Sequence, residues 1–318
     1  MNTAPTTEDR IWAVLSHLSA LSFGIGILLP VVGWSDQRRK SNYASFQCLQ
    51  ALGYQSVGFT IWVLSYLVIF LLVSIILLVM LRQEGTSQVS AAALGPGMVT
   101  LLIVIFGGFV LYFVLPVLAA IACALGRDFH YPVLGARLSQ YLRYERAQKL
   151  DEQTWLEEDH EFQWVAAMGH FSILIALWGM LAPLTAWILQ GKNSSFLKFQ
   201  SIQTLVFQAL ATVFYLVGAA LYVFGIFLFI FSMGVNGVPD FNSPMGIIST
   251  VIMIVILLIA AALILFVPLL HILGQWAGYR VLKGENYRYP LIGSLVEKWM
   301  ARQPPLPEDG SSHLKGIS

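Results

Sequence analysis

Six long apolar runs dominate the chain: Ile11 to Trp34, Phe46 to Leu81, Met98 to Leu125, Phe162 to Gln190, Phe196 to Met233 and Gly246 to Arg280. A helix crosses a bilayer with roughly 20 apolar residues, so each run is long enough. No Asp, Glu, Lys or Arg occurs from Ser41 to Leu81, from Gly85 to Gly126 or from Phe162 to Gly191. The pattern predicts an all-α fold, a polytopic helical membrane protein. The first run is interrupted by Ser16, His17, Ser19 and Ser22, by Gly24 and Gly26, and by Pro30 near its end. As one helix the second run would measure about 54 Å, far more than a hydrocarbon core of roughly 30 Å. Its first three turns, which carry the glutamines, are therefore expected outside the core, at the interface or against protein. Residues 82–97 read as a loop closed by Gly95-Pro96-Gly97, and Pro116 predicts a kink in the third run.

The pattern occurs twice. FQCLQALGYQ at 46–55 returns as FQSIQTLVFQ at 199–208, so Gln47, Gln50 and Gln55 recur as Gln200, Gln203 and Gln208 at an offset of 153. His17 and His170 share that offset, as do Pro30 and Pro183. After the third run GRDFHYPVLGARLSQY returns as GENYRYPLIGSLVEKW, at an offset of 158. Two homologous three-segment repeats follow: a polar tail over 1–9, repeat one over 10–145, an acidic linker over 146–161, repeat two over 162–300 and a polar tail over 301–318. The linker's acidic run reads as a solvated spacer.

Composition agrees with lipid as the solvent: 57% of residues are hydrophobic and 11% charged, against about 25% charged in ordinary soluble domains. Mean hydropathy is +0.73. A net charge of +1, with no basic stripe, excludes a nucleic-acid partner. The bilayer is the expected partner. Of the 18 cations, six full crossings would place 10 on one side and 8 on the other, without the cytoplasmic excess that membrane proteins show. If the first segment of each repeat enters and returns, 17 share one side and Arg82 alone takes the other. The count favours this re-entrant arrangement, with both termini cytoplasmic. It requires the second and third segments to enclose the first, since irregular backbone at membrane depth must be buried in protein.

Candidate chemistry is confined to polar residues inside the apolar runs. Gln47, Gln50 and Gln55 fall within about 140° of helical arc, and Gln200, Gln203 and Gln208 repeat the face. Amides there either join helices, at around 0.6 to 2 kcal/mol each, or line a path for a solute. His17 and His170 are either neutral partners of such amides or sensors of a proton or ligand. Transport requires the polar groups of both repeats to converge near the midplane; helix-joining requires each repeat to satisfy its own. The motif Gly126, Tyr131, Pro132, with Gly284, Tyr289, Pro290, predicts a helix-ending glycine, an aromatic at the headgroups and a proline opening an interfacial amphipathic helix. Trp12, Trp34, Trp164 and Trp187 read as interfacial anchors. Cys48 and Cys123 read as buried thiols. No catalytic motif and no metal-ligand spacing is present, so neither an enzyme nor a cofactor is expected.

His17-Leu18-Ser19 with Pro30, the basic turn at 38–40, Phe46-Gln47-x-x-Gln50-Ala51-Leu52 with Gln55, and Gly284 to Pro290 resemble the DUF4870 family of small prokaryotic membrane proteins. That family is distantly similar to the chloroplast import component Tic20. The resemblance spans roughly 9–140 and 161–297 and implies a tandem fusion in a prokaryotic inner membrane. It implies a structural or complex-forming role allied to protein translocation, with other membrane proteins as partners. A small-solute transporter or channel using the paired His and Gln residues is the alternative.

Overall fold

A computed structural model describes residues 4–83, 91–144, 155–233 and 244–302. Among them the chain is helical, with no strand. The first repeat comprises α1 (Thr7–Leu18), α2 (Leu28–Gln37), α3 (Asn42–Gly53), α4 (Phe59–Gln83), α5 (Ala91–Ala124) and α6 (Leu134–Leu142). The second comprises α7 (Glu158–Phe171), α8 (Leu181–Gln190), α9 (Ser195–Met233), α10 (Pro244–Leu282) and α11 (Ile292–Ala301). A π-helical turn, Tyr54–Gly58, joins α3 to α4 without ending the helix.

Among the described residues five helical stretches are long and apolar enough to cross a membrane: Thr7–Gln37, Asn42–Ile75, Ile105–Ala124, Ser195–Ile230 and Pro244–Leu282. The first does so by length only, because it is folded back on itself. A 3₁₀ stretch, Ser19–Ile27, breaks at Phe23, whose φ of 55° no helix shares. Gly33 on α2 then lies so close to α1 that a Cβ on it would stand 3.0 Å from the Trp12 ring and 3.2 Å from Ser16 Oγ. In a straight helix residues 12 and 33 would lie about 31 Å apart. The second repeat turns the same way at Ser172–Met180, and Gly169 of α7 faces Pro183 of α8. The first segment of each repeat is thus a helical hairpin. Its turn needs glycine because the chain passes its own carbonyl: a Cβ at Gly26 would meet Ser19 O at 1.8 Å, and one at Gly179 would meet Ser172 O at 2.1 Å.

Each hairpin is clasped by the long helices of its own repeat, α1 by α3 and α5, α7 by α9 and α10. The hairpins also pack on each other through α2 and α8 and at their tips, where Gly24 accommodates Trp178 and Ile175. The main core therefore lies between the repeats, with Ile27, Trp34, Leu49 and Leu52 packed among Phe162, Trp164, Met168 and Leu197. Beyond the hairpins, α4, α5, α9 and α10 expose Leu, Ile, Val and Phe on nearly every turn, the surface expected against lipid.

The long helices of the two repeats pair differently. In the second repeat Gly218 lies against Leu263 and Ile264, and Gly225 against Leu257, so α9 and α10 approach closely. In the first, rings hold α4 from α5: Tyr54 stacks on Tyr112 at 5.3 Å and Trp62 meets Phe109 at 5.7 Å. The positions of Tyr66 and Tyr112 carry Ala219 and Leu270 in the second repeat.

Several expectations require correction. α5 begins at Ala91, so Gly95-Pro96-Gly97 lies within the helix, and the helix also continues through Pro116. α1 begins at Thr7, fixed by a capping box in which Thr6 Oγ1 accepts from Asp9 N–H and Asp9 accepts from Thr6 N–H. Trp34 and Trp164 are buried rather than interfacial, with the Trp164 indole donating to Leu49 O at 2.9 Å. The acidic run is no solvated spacer at its end: Glu158 opens α7 and Glu161 is fully buried. Residues 146–154 of the linker, 1–3 of the first tail and 303–318 of the last lie outside the described residues.

Candidate functional site

The predicted polar residues assemble into two clusters, one per repeat. Ser41 caps α3 through its Oγ, and the helix then turns Gln47 and Gln50 toward α1 and toward the chain leaving α5. His17, one turn from the hairpin fold, points at the same place. Gln47 Nε2 donates to Asp128 Oδ1 at 2.8 Å and to Phe129 O at 3.0 Å. That fixes Gln47 Oε1 as the acceptor for His17 Nε2 at 2.9 Å and Gln50 Nε2 at 3.2 Å. Donation from Nε2 leaves Nδ1 of a neutral imidazole as an acceptor, and the Tyr131 hydroxyl supplies the proton at 3.1 Å. Gln50 Oε1 accepts from Tyr131 N–H at 2.7 Å, while its amide donates to Phe129 O at 2.9 Å. Further along, Gln55 Nε2 donates to Ser16 O and Ser19 Oγ, closing the hairpin turn.

The second repeat reproduces this bond for bond. Gln200 Nε2 donates to Asn286 Oδ1 and Tyr287 O; Gln200 Oε1 accepts from His170 Nε2 at 3.0 Å; the Tyr289 hydroxyl meets His170 Nδ1 at 2.9 Å. Gln203 bonds Gln200, Tyr287 O and Tyr289 N–H, and Gln208 bonds Gly169 O and Ser172 Oγ. Thr204 adds a hydroxyl beside His170 that the first repeat lacks. The eight predicted His and Gln residues are thus brought together, but as two separate sets. Both histidines have no exposed surface.

Tyr131 and Tyr289 correct the sequence reading most sharply. In place of the expected position at the headgroups, each is 2% exposed and completes the polar cluster of its repeat. Gly126 and Gly284 do end α5 and α10 in the left-handed region, at φ 70° and 83°. Pro132 and Pro290 do not open the following helices. Each accepts at its carbonyl from the amide two residues on, at 2.7 Å, in a tight turn around Val133 or Leu291, at φ 65° and 64°. A non-glycine residue in that conformation is rare and strained, yet both repeats keep it. Replacing Tyr131 with Phe removes one buried bond and is expected to lower stability by about 1 kcal/mol, with Tyr289→Phe costing less because Thr204 Oγ1 lies 3.0 Å from the same His170 nitrogen. Thermal unfolding in detergent, followed by tryptophan fluorescence, checks both; a silent Tyr131→Phe would mean that the hydroxyl does not hold His17.

A third polar set, not foreseen, joins the repeats. Arg38, just past α2, donates from Nη1 to Gln190 Oε1 at 2.8 Å and from Nη2 to Glu158 Oε1 at 2.7 Å. Its guanidinium lies 4.2 Å from the centre of the Phe162 ring. Glu161 Oε1 accepts from the Trp34 indole at 3.2 Å, and its other oxygen lies 3.7 Å from Arg38 Nη2. Burial pushes the Glu161 carboxyl up to about 7, against the pull of Arg38, the Trp34 indole and Arg39 and with a push from Glu158. The set borders an open pocket of about 430 Å³, lined by Asp36, Arg39 and Lys40 from one repeat and Glu158, Gln190 and Asn193 from the other. Its only signal in the sequence was Glu161 lying next to an apolar run.

Among the described residues no group of three His, Cys, Asp or Glu side chains is arranged to hold a metal ion. Cys48 and Cys123 are buried free thiols.

Two stretches of the chain, 8–138 and 161–296, match the model of the MamF_MmsF family, described as the magnetosome magnetite crystal formation protein family. The matched stretches start 153 residues apart and end 158 apart, the same two offsets as the internal repeat. Neither the curated proteins nor the solved structures give a match. The match overturns the resemblance to DUF4870 and Tic20, and the link to protein translocation falls with it. The motifs that suggested it (a His beside a small polar turn, Gln pairs, a Tyr-Pro exit) serve a fold, and a fold does not name a function. Since the two matches together cover most of the chain, it belongs to the MamF_MmsF family of membrane proteins, as a tandem pair of the family's units.

Proposed function

We propose that this protein is a non-enzymatic, structural and complex-forming membrane protein that contributes to magnetite crystal formation by organising the membrane in which it sits. The family description supplies the process. The observation that carries the structural role is that each repeat satisfies its histidine and its first two glutamines internally: Gln47 and Gln50 bond Asp128, Phe129 and Tyr131, and Gln200 and Gln203 bond Asn286, Tyr287 and Tyr289. A solute path needs unsatisfied polar groups from both repeats near one another; Gln47, Gln50, Gln200 and Gln203 are spent on joining helices, while Gln55 and Gln208 bond the hairpin turns through Nε2 and leave their buried carbonyl oxygens unpartnered. The distribution of cations supports both termini on the cytoplasmic side of the inner membrane, because the hairpin arrangement leaves 17 of 18 on one face.

Gln50→Leu and Gln203→Leu each strand a buried backbone amide, that of Tyr131 or Tyr289, and each is expected to lower stability by about 2 kcal/mol. Reconstituted wild-type protein is expected to give no ion or solute flux above protein-free vesicles. In magnetite-forming cells, loss of the chain is expected to change crystal size or number, and the Gln variants to reduce recovery of co-purifying membrane proteins. Flux that disappears in Gln50→Leu while the unfolding midpoint is unchanged would replace this reading with transport.

A further inference from the structure

The two repeats end alike in backbone and differently in surface. α11 buries Ile292, Gly293 and Val296 against α9. Leu291, Leu295 and Trp299, spaced four apart, remain 82%, 64% and 44% exposed. At 100° per residue these three occupy about 80° of arc beside the packed face; Lys298 borders that arc, and Arg302 caps the helix at its end. Glu297 and Ser294 lie on the side away from it. In α6 the equivalent positions are Val133, Arg137 and Tyr141. Arg137 interrupts the stripe, and Tyr141 is drawn into the seam between repeats, donating to Gln163 Oε1 and Leu282 O. An apolar stripe therefore exists only at the end of repeat two.

We propose that α11 lies in the headgroup layer of the bilayer as an interfacial helix, with Leu291, Leu295 and Trp299 inserted and Lys298 and Arg302 on anionic lipid phosphates. Three observations select the bilayer as occupant. The stripe continues the lipid-facing surface of α10, whose last exposed apolar residues are Leu269, Ile272, Trp276 and Tyr279. Arg280 lies over the Trp276 ring and Lys283 over Tyr279, at 5.8 and 4.6 Å from the ring centroids, so cations and amphipathic rings mark the headgroup level there. Only residues 283–291 separate that level from α11. Finally, Arg280 to Arg302 carries five cations against two carboxylates, Glu285 and Glu297, and both carboxylates already pair with Arg280 and Arg288. The surplus suits an anionic surface. The strained turn at Leu291 holds the first residue of the stripe outward.

The test uses the full chain in vesicles of phosphatidylcholine with or without phosphatidylglycerol. Nitroxide labels are placed singly by Leu295→Cys, Glu297→Cys and Arg137→Cys, with the buried Cys48 and Cys123 left in place and an unsubstituted chain as labelling control. Power-saturation EPR is expected to give residue 295 a severalfold higher ratio of oxygen to nickel-chelate accessibility than 297 or 137. The ratio is expected to rise with phosphatidylglycerol and to lose that rise in Lys298→Glu/Arg302→Glu. Equal chelate access at 295 and 297 in both compositions would overturn the proposal. So would a label at 295 shielded from both reagents, which would mean that a second copy covers the stripe.

Discussion

Gly26→Ala and Gly179→Ala, made singly, are each expected to cost more than about 4 kcal/mol and to abolish recovery of monodisperse protein from detergent. So large a loss needs a named cause, and here it is backbone against backbone. A methyl group on Gly26 would stand 1.8 Å from Ser19 O, and on Gly179 2.1 Å from Ser172 O. Neither carbonyl can move aside without opening the turn that returns α2 to α1 or α8 to α7. Opening it also breaks the bonds from Gln55 and Gln208 into the same turns. Gly107→Ala is the control. No atom lies within 4 Å of its would-be Cβ, and inside a helix alanine is favoured over glycine by roughly 0.5–1 kcal/mol. If Gly26→Ala is recovered and unfolds like Gly107→Ala, the close approach at the hairpin turn is wrong and the first segment need not fold back.

The hairpin was legible because two independent patterns favoured it over a full crossing. The cations gathered on one side only if the first segment returned, and glycines stood where a return needs them, at 24, 26 and 179. The duplication was legible from spacing alone, since Gln47, Gln50 and Gln55 keep their offsets in a stretch that could not drift without losing its bonds. The partners of those glutamines were not legible. Tyr131 and Tyr289 sit beside a proline after a long apolar run, which fits a headgroup aromatic as well as a buried one; only the fold brings them 114 and 119 residues back to His17 and His170. Asp128 and Asn286 were hidden for another reason. They hold equivalent positions but differ in charge, so the repeat shows no shared carboxylate to notice. Arg38 and Glu161 have no symmetric counterparts in role at all. Position 191 holds Gly where the offset would put a second arginine, while Glu8 answers Glu161 but pairs with Gln37. A search for repeated residues passes over what joins one repeat to the other.

That asymmetric junction gives the second large effect: in wild-type protein, stability is expected to fall by about 3 kcal/mol as pH rises from 4.5 to 8, and Glu161→Gln is expected to remove most of the fall. Burial raises the Glu161 carboxyl from an ordinary 4.5 to about 7, so the folded protein holds that proton more tightly than the unfolded chain does. The stabilisation is complete below pH 4.5 and is lost as pH rises through 7, and a shift from 4.5 to 7 corresponds to about 3 kcal/mol. The charged groups acting on the carboxyl are Arg38 and Arg39 beyond α2 and Glu158 one turn back on α7. The amide introduced by Glu161→Gln keeps an acceptor for the Trp34 indole but cannot ionise. Removing the attraction instead, with Arg38→Leu, leaves an ionised Glu161 buried without its cation and should deepen the loss above pH 7 while costing less at pH 5. Chemical denaturation in detergent at pH 5, 6, 7 and 8, comparing the three proteins, measures all of this. Parallel pH curves for wild type and Glu161→Gln would show that Glu161 is ionised throughout, and that the contact between the repeats does not respond to protons in this range.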